Sequence, residues 1–407
     1  MSRRFNIVYS LEPRNIRDVS VAFLTLDYFN DNVIEGHRIL SKRIIDAVKR
    51  NTSLSTYIFS LETARNLLPQ EKIHFKRLVP SVWEWMTSTY KIFEKLKTVD
   101  VDIVHILSYS SVFPALLNKL TPSRSKDFRI IAHIYYGPDA FKLLQYKFTE
   151  LLLLMKSFEA VIATSKLLKE FLVKRTKLTD KMTFYIPPIV PKKFFDFDYN
   201  SLRSSTGKYK KLFGLKEDDF VISYIGHITP QRGVFELLKA FNKALGSNSR
   251  LRLIISPTNI VYQDLSLDYL SILEMLIKKY GLNHRVLIVE KQDPIQLFAM
   301  SDVLFLGFDK TFFFTFPPLI ACEAVASGMP VILKQSPLVY ELFSTEKSLP
   351  IYKDLDELTD IILDLADNKN RLSDISLRVK AEAVRKFMPE QLVSRLLKVY
   401  MSLTGDY

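Results

Sequence analysis

A single cysteine, Cys322, stands in 407 residues. No internal disulfide is then available, and such usage fits a reducing, cytosolic setting. Cys322 lies in an apolar stretch and reads as a small core residue. No run approaches the ~18 apolar residues of a membrane-crossing helix; LLLLM at 151–155 is among the longest. The opening residues, MSRRFNIVYSLEPR, lack an apolar h-region and a small-residue cleavage site, so a secretory signal is not expected. No internal repeat of solenoid period and no low-complexity segment occurs.

What is present is a globular composition, 48% hydrophobic and 25% charged. The length predicts two domains with sizeable cores. The net charge of +13 is uneven. Residues 1–200 carry 31 Lys and Arg against 20 Asp and Glu, a surplus of 11, whereas the rest carries a surplus of 2. The basic half is expected to attract an anionic partner such as a membrane surface, a lipid phosphate or nucleic acid. Simple solubility gives the same surplus. No recognised nucleic-acid motif accompanies the charge, so nucleic acid is not the expected partner.

One stretch organises the second half. Residues 220–241 read FVISYIGHITPQRGVFELLKAF. Val221 to Ile225 is a β-branched and aromatic run, which predicts a buried strand. Gly226 ends it, and a polar turn holds Pro230, Arg232 and Gly233. From Val234 the apolar spacing becomes helical through Leu237, Leu238, Phe241 and Leu245. A helix N-terminus presents N–H groups and partial positive charge that suit a phosphate. Gly226 and Gly233 permit close backbone approach, and Arg232 adds a permanent cation. An ordinary strand–helix connection with a solvated arginine has the same pattern.

A second stretch, TFPPLIACEAVASGMPVIL at 315–333, starts a helix with proline, carries one carboxylate at Glu323 among apolar neighbours, and stops at Gly328 before a new strand. A carboxylate in so apolar a helix needs a partner, either a ligand or a neighbouring backbone group.

Upstream, strands are expected at 6–10, 56–60, 73–79, 102–106, 129–134, 159–165 and 182–186, with helices at 35–48, 141–157 and 166–174. This alternation predicts a parallel α/β sheet. Residues 81–97 set Trp83, Trp85, Tyr90 and Phe93 against Lys91, Lys95 and Lys97. Such a helix fits a bilayer surface or a core. His133 ends a strand, His105 sits within another, and a histidine at a strand end is a hydrogen-bonding or catalytic group. The second half repeats the alternation to Phe387, and residues 389–403 form a last amphipathic helix.

In order, these segments resemble the GT-B glycosyltransferases of family 4, the glycosyl transferases group 1 type. Gly226 to Gly233 is similar to "G-R-L-x-x-x-K-G" and Thr315 to Val331 to "E-G-F-G-x-x-x-x-E-A-x-A-x-G-x-P-V". DIVHI at 102–106, HIYYG at 133–137 and EAVIATS at 159–165 resemble further family segments. The resemblance implies two Rossmann-like parallel-sheet domains facing a cleft: an acceptor-side domain at 1–195, a linker at 196–211, a donor-binding domain at 212–387, and a terminal helix at 388–407 returning to the first. It implies transfer of a hexosyl group from a nucleotide-diphospho-sugar to a lipid-linked or glycan acceptor. Retention of configuration is implied, with no metal or other cofactor, and no Asp-x-Asp stands at a cleft-facing turn. His133, Arg232 and Glu323 are then the catalytic candidates. Gly226, His227, Arg232, Gly233, Thr315, Phe316 and Glu323 are the donor-binding ones. A cytoplasmic protein in peripheral contact with an anionic membrane is expected. The departures lie in the sugar-facing half. The first glutamate of the E-x7-E motif falls on Thr315, "G-F-G" becomes Phe316-Pro317-Pro318, and the arginine of "G-R-L" is His227. A GT-B protein that binds a nucleotide sugar without turnover, or serves as a partner subunit, is the alternative.

Overall fold

The structure, a computed structural model, describes residues 19–26, 36–61, 99–107, 128–142, 158–176, 178–197, 206–258, 269–290, 293–311, 315–345 and 349–404, with the single positions 96 and 199. The expected strands at 6–10 and 73–79, the aromatic segment 81–97 apart from Leu96, and the expected helix 141–157 beyond Lys142 lie outside those residues. Two compact units divide the chain. The first takes residues 1–189, 312–316 and 389–407; the second takes 190–311 and 317–388.

In the first unit, β1 (Ser20–Leu26), β2 (Ser55–Leu61), β3 (Ile103–Ile106), β4 (Arg129–Ile134), β5 (Ala160–Ala163) and β6 (Thr183–Tyr185) form one sheet in the order β2-β1-β3-β4-β5-β6. Every pairing is parallel. Crossovers cover both faces of such a sheet, so its strands are apolar on both sides; β3 and β5 are buried along their whole length. β1 is a strand that the alternation rule passes over. Val21 to Thr25 is a continuous buried run rather than an in–out pattern. The helix Pro389–Thr404 groups with this unit and packs on the helix Gly36–Asn51. Its Tyr400 hydroxyl lies 2.7 Å from Nδ1 of His105.

The second unit holds β7 (Phe220–Gly226), β8 (Leu251–Pro257), β9 (Val286–Ile288), β10 (Val303–Leu306), β11 (Val331–Lys334) and β12 (Ile351–Tyr352) in the order β12-β11-β10-β7-β8-β9. All pairings are again parallel. From β7 the chain runs outward through β8 and β9 on one side; β10 lies against the other side of β7, and the chain then runs outward to β12. The direction of winding therefore reverses between β7 and β10. In open α/β sheets this reversal opens a crevice at the carboxyl ends of the two strands.

The boundaries differ from those expected in two places. Residues 190–195, expected in the first domain, and the adjoining 196–211, expected as a linker, belong to the second unit. The helix Thr206–Leu212 is stitched to the sheet by a buried ion pair, Lys210 Nζ to Asp302 Oδ2 at 3.0 Å. Lys210 also donates to the Asp219 carbonyl at 2.6 Å, and the Tyr199 hydroxyl donates to the Asp302 carbonyl at 2.7 Å. Residues 312–316, expected in the second domain, group with the first unit. There the Phe316 N–H donates to the Tyr135 carbonyl at 2.7 Å, and the Thr164 hydroxyl donates to the Phe316 carbonyl at 2.8 Å.

Candidate functional site

The reversal point of the second sheet gathers Gly226, His227, Arg232 and Gly233. β7 ends on Gly226 at φ +145°, and a Cβ there would lie 2.8 Å from Nη1 of Arg232. Only glycine leaves room for the guanidinium to fold back over the strand end. The turn closes through a short 3-10 segment, Pro230–Arg232, and Gly233 then adopts a left-handed φ of +74°. That conformation is costly for a residue with a Cβ. Gly233 also begins the helix Val234–Leu245, and no side chain caps the N–H groups of its first turn. The helix buries Val234, Leu237, Leu238 and Phe241, the apolar stripe expected from spacing. Its N-terminus, the positive end of the helix dipole, is thereby held beside the carboxyl end of β7.

Arg232 is half-buried and lies over the Phe308 ring, 5.3 Å from guanidinium carbon to centroid. Burial lowers its pKa from the ordinary value while the Tyr224 hydroxyl acts to raise it. Burial likewise pushes the Tyr224 hydroxyl above its usual range, and Arg232 opposes that rise. Tyr224 thus stays a neutral donor, and its hydroxyl donates to the His227 carbonyl at 2.5 Å. His227 points to the next strand, with Nδ1 2.8 Å from Oγ1 of Thr258. The loop after β10 forms the other wall. Gly307 meets Gly233 directly, and Asp309 donates its N–H to the Gln231 carbonyl at 3.3 Å. Asp309 is an exposed carboxylate in that loop.

Glu323 is 5% exposed on the helix Leu319–Ala326, which follows the β10 loop and packs against the helix Lys369–Phe387. Thr315 and Phe316 group with the first unit. Thr315 Oγ1 is buried with no hydrogen-bond partner among the described residues, whereas Phe316 is fixed through its backbone.

In the first unit His133 is the penultimate residue of β4, 5% exposed. Its ring stacks on His105, with centroids 5.3 Å apart and planes 4° from parallel. Neither ring nitrogen of His133 has a hydrogen-bond partner among the described residues. Burial lowers its pKa well below the usual histidine value, and His105 lowers it further. His105, with its Nδ1 on Tyr400, is pushed down to about 3 by burial. Both rings are therefore neutral at pH 7, and His133 retains one acceptor and one donor nitrogen for a further group.

Sequence reasoning missed Gly307 and Phe308. Their only signal was a glycine directly after a buried strand. Tyr224, within β7, and Thr258, just past the end of β8, interact with His227 and carried no sequence signal of their own. Among the described residues, no group of three or more His, Cys, Asp or Glu side chains is arranged to hold a metal ion, and no helix is long and apolar enough to cross a membrane.

Residues 206–381 match the family model described as glycosyl transferases group 1. An uncharacterized glycosyltransferase of Methanocaldococcus jannaschii is 25% identical over 192 residues, which cover 46% of this chain and 45% of that protein. The matched region thus spans just under half the length of that relative. Among solved structures, Anabaena HepE in complex with UDP and glucose is similar at a TM-score of 0.68 and 16% identity, covering 94% of this chain and 99% of that one. Sucrose-phosphate synthase from Thermosynechococcus elongatus is similar at 0.73 and 15%, covering 95% and 100%. At these identities the likeness carries the fold, two Rossmann-like parallel-sheet units of the GT-B class.

Proposed function

We propose, from the match of residues 206–381 to the glycosyl transferases group 1 model, that this chain transfers a sugar from a nucleoside-diphosphate sugar. The observation that carries the reading is the turn 226–233. An uncapped helix N-terminus and a half-buried guanidinium meet where the strand order reverses. Charge builds on the leaving diphosphate as the glycosidic bond breaks, and fixed donors aimed at that charge lower the barrier. Arg232 and the first-turn N–H groups are such donors, so turnover needs no divalent cation on this reading. The Anabaena neighbour was solved with UDP and glucose, which supports a nucleotide-sugar donor here. Glu323 is the proposed contact to the donor ribose and His133 the proposed contact to the sugar. A lipid-linked or polysaccharide acceptor fits the surplus of 11 cationic residues over residues 1–200.

One observation favours binding without turnover. Thr315, which cannot carry charge, occupies the position of a glutamate in the family motif, and its hydroxyl is unpartnered among the described residues. Release of nucleotide from UDP-, GDP- and ADP-sugars, with and without EDTA, tests the two together. The enzyme reading expects EDTA-insensitive release from one donor class, lost in Arg232→Ala and weakened in Glu323→Gln. Binding with no release from any donor would establish the non-catalytic reading instead.

A further inference from the structure

The first turn of the helix Val234–Leu245 contains a carboxylate, Glu236. A carboxylate there is itself drawn to the helix N-terminus. It also repels any anion bound at the same turn. Two residues far along the chain meet it. Lys334, at the end of β11, places Nζ 2.9 Å from Oε2 of Glu236, with the two side chains 24% and 25% exposed. Tyr352, at the end of β12, donates its hydroxyl to that same oxygen at 3.0 Å. Burial first, and Glu236 second, hold the Tyr352 hydroxyl above its usual pKa, so it remains a donor. The Tyr352 ring stacks on Phe305 of β10, with centroids 5.9 Å apart and planes at 25°. A Cβ on Gly307 would lie 3.0 Å from the Tyr352 hydroxyl. Lys334 Nζ in turn sits 5.9 Å from the centroid of the Tyr352 ring. One carboxylate of the turn is thus tied to the ends of two strands and, through Tyr352, to the Gly307 loop.

We propose that Lys334 and Tyr352 are positioning residues for the anion-binding turn: Lys334 cancels the charge of Glu236, and Tyr352 fixes that turn against the Gly307 loop. The proposal rests on the reading above that the turn holds a diphosphate. Lys334 acts on Glu236 and not on the anion. Removing it leaves an unbalanced carboxylate in the first helical turn, one or two side-chain lengths from the bound charge. At the intermediate dielectric of a partly buried site, such a charge weakens binding about tenfold, less at high salt.

Calorimetric titration with pyrophosphate and with UDP, at low and high salt, tests this in wild type, Lys334→Met, Glu236→Gln, the double variant and Lys334→Arg. The expected pattern is about tenfold weaker binding in Lys334→Met at low salt, with Glu236→Gln binding at least as tightly as wild type. The double variant returns close to Glu236→Gln, and Lys334→Arg stays close to wild type. Equal weakening by Lys334→Met in both backgrounds would mean that the lysine touches the anion, and would overturn the proposal; so would no weakening. Wild-type protein that binds neither probe would overturn the diphosphate reading itself, a result visible before any variant is made. Hydrogen exchange of residues 234–238 in ligand-free Tyr352→Phe tests the second role without a ligand. Faster exchange there than in wild type is expected, and unchanged exchange would remove Tyr352 from the account.

Discussion

A Cβ on Gly233 would stand 2.8 Å from the carbonyl oxygen of Gly307 and 3.0 Å from its Cα. Two loops from neighbouring strands therefore touch backbone to backbone at the reversal point of the second sheet. The contrast with Gly226 gives a first prediction. There the atom in the way is the tip of the Arg232 side chain, which can swing aside. Gly226→Ala is expected to cost about 1–3 kcal/mol through its backbone conformation, with a larger loss in nucleotide affinity because Arg232 is re-aimed. Gly233→Ala adds a backbone collision to a strained φ, and is expected to exceed ~3 kcal/mol. Urea unfolding of both variants, beside nucleotide titration, checks the order. The reverse order in stability would contradict the packing described.

The buried pair Lys210–Asp302 gives a second. Asp302 Oδ2 also accepts the Val221 N–H at 2.8 Å, so the carboxylate sits at the root of β7 with two donors. Removing the lysine breaks a buried ion pair from one side, which typically costs about 3–5 kcal/mol. Lys210→Met should destabilise the second unit by that order, and Lys210→Met with Asp302→Asn should recover part of it. Chemical denaturation of the single and double variants measures the difference. A Lys210→Met protein as stable as wild type would show that this segment is not part of the unit.

Much of the fold was legible because parallel strands are apolar on both faces and stand out as runs. The strand expected from Val221 to Ile225 lies within β7, and the helical spacing from Val234 to Leu245 marks the helix Val234–Leu245. β1 was not legible. Its buried run, Val21 to Thr25, has no in–out alternation and follows a polar stretch with no glycine to mark where a strand starts. Sequence order also misled at 312–316, where two hydrogen bonds of Phe316, and not chain neighbours, decide the unit. At the site, glycines and a cation in one turn were readable. Glu236 with Lys334 and Tyr352 was not, since their separations of 98 and 116 residues leave no local pattern.

The stacked pair His105–His133 gives a pH prediction. Both are depressed by burial below the unfolded value of 6.5, His105 to about 3. Above 6.5 both states are neutral there and no penalty exists. Below it the unfolded chain takes up protons that the folded one refuses, so stability falls as pH falls. For His105 the loss runs from about pH 6.5 toward 3, at about 1.4 kcal/mol per pH unit. Thermal unfolding of the first unit between pH 7.5 and 4.5 should show this decline, and His105→Gln should flatten it. A decline of the same slope in His105→Gln would assign the effect elsewhere.

Hydrogen exchange with and without a saturating nucleoside diphosphate tests the central claim most directly. The account predicts slowed exchange across 226–238 with at least one of UDP, GDP and ADP, and loss of that protection in Arg232→Ala. Protection elsewhere with 226–238 unchanged would contradict it.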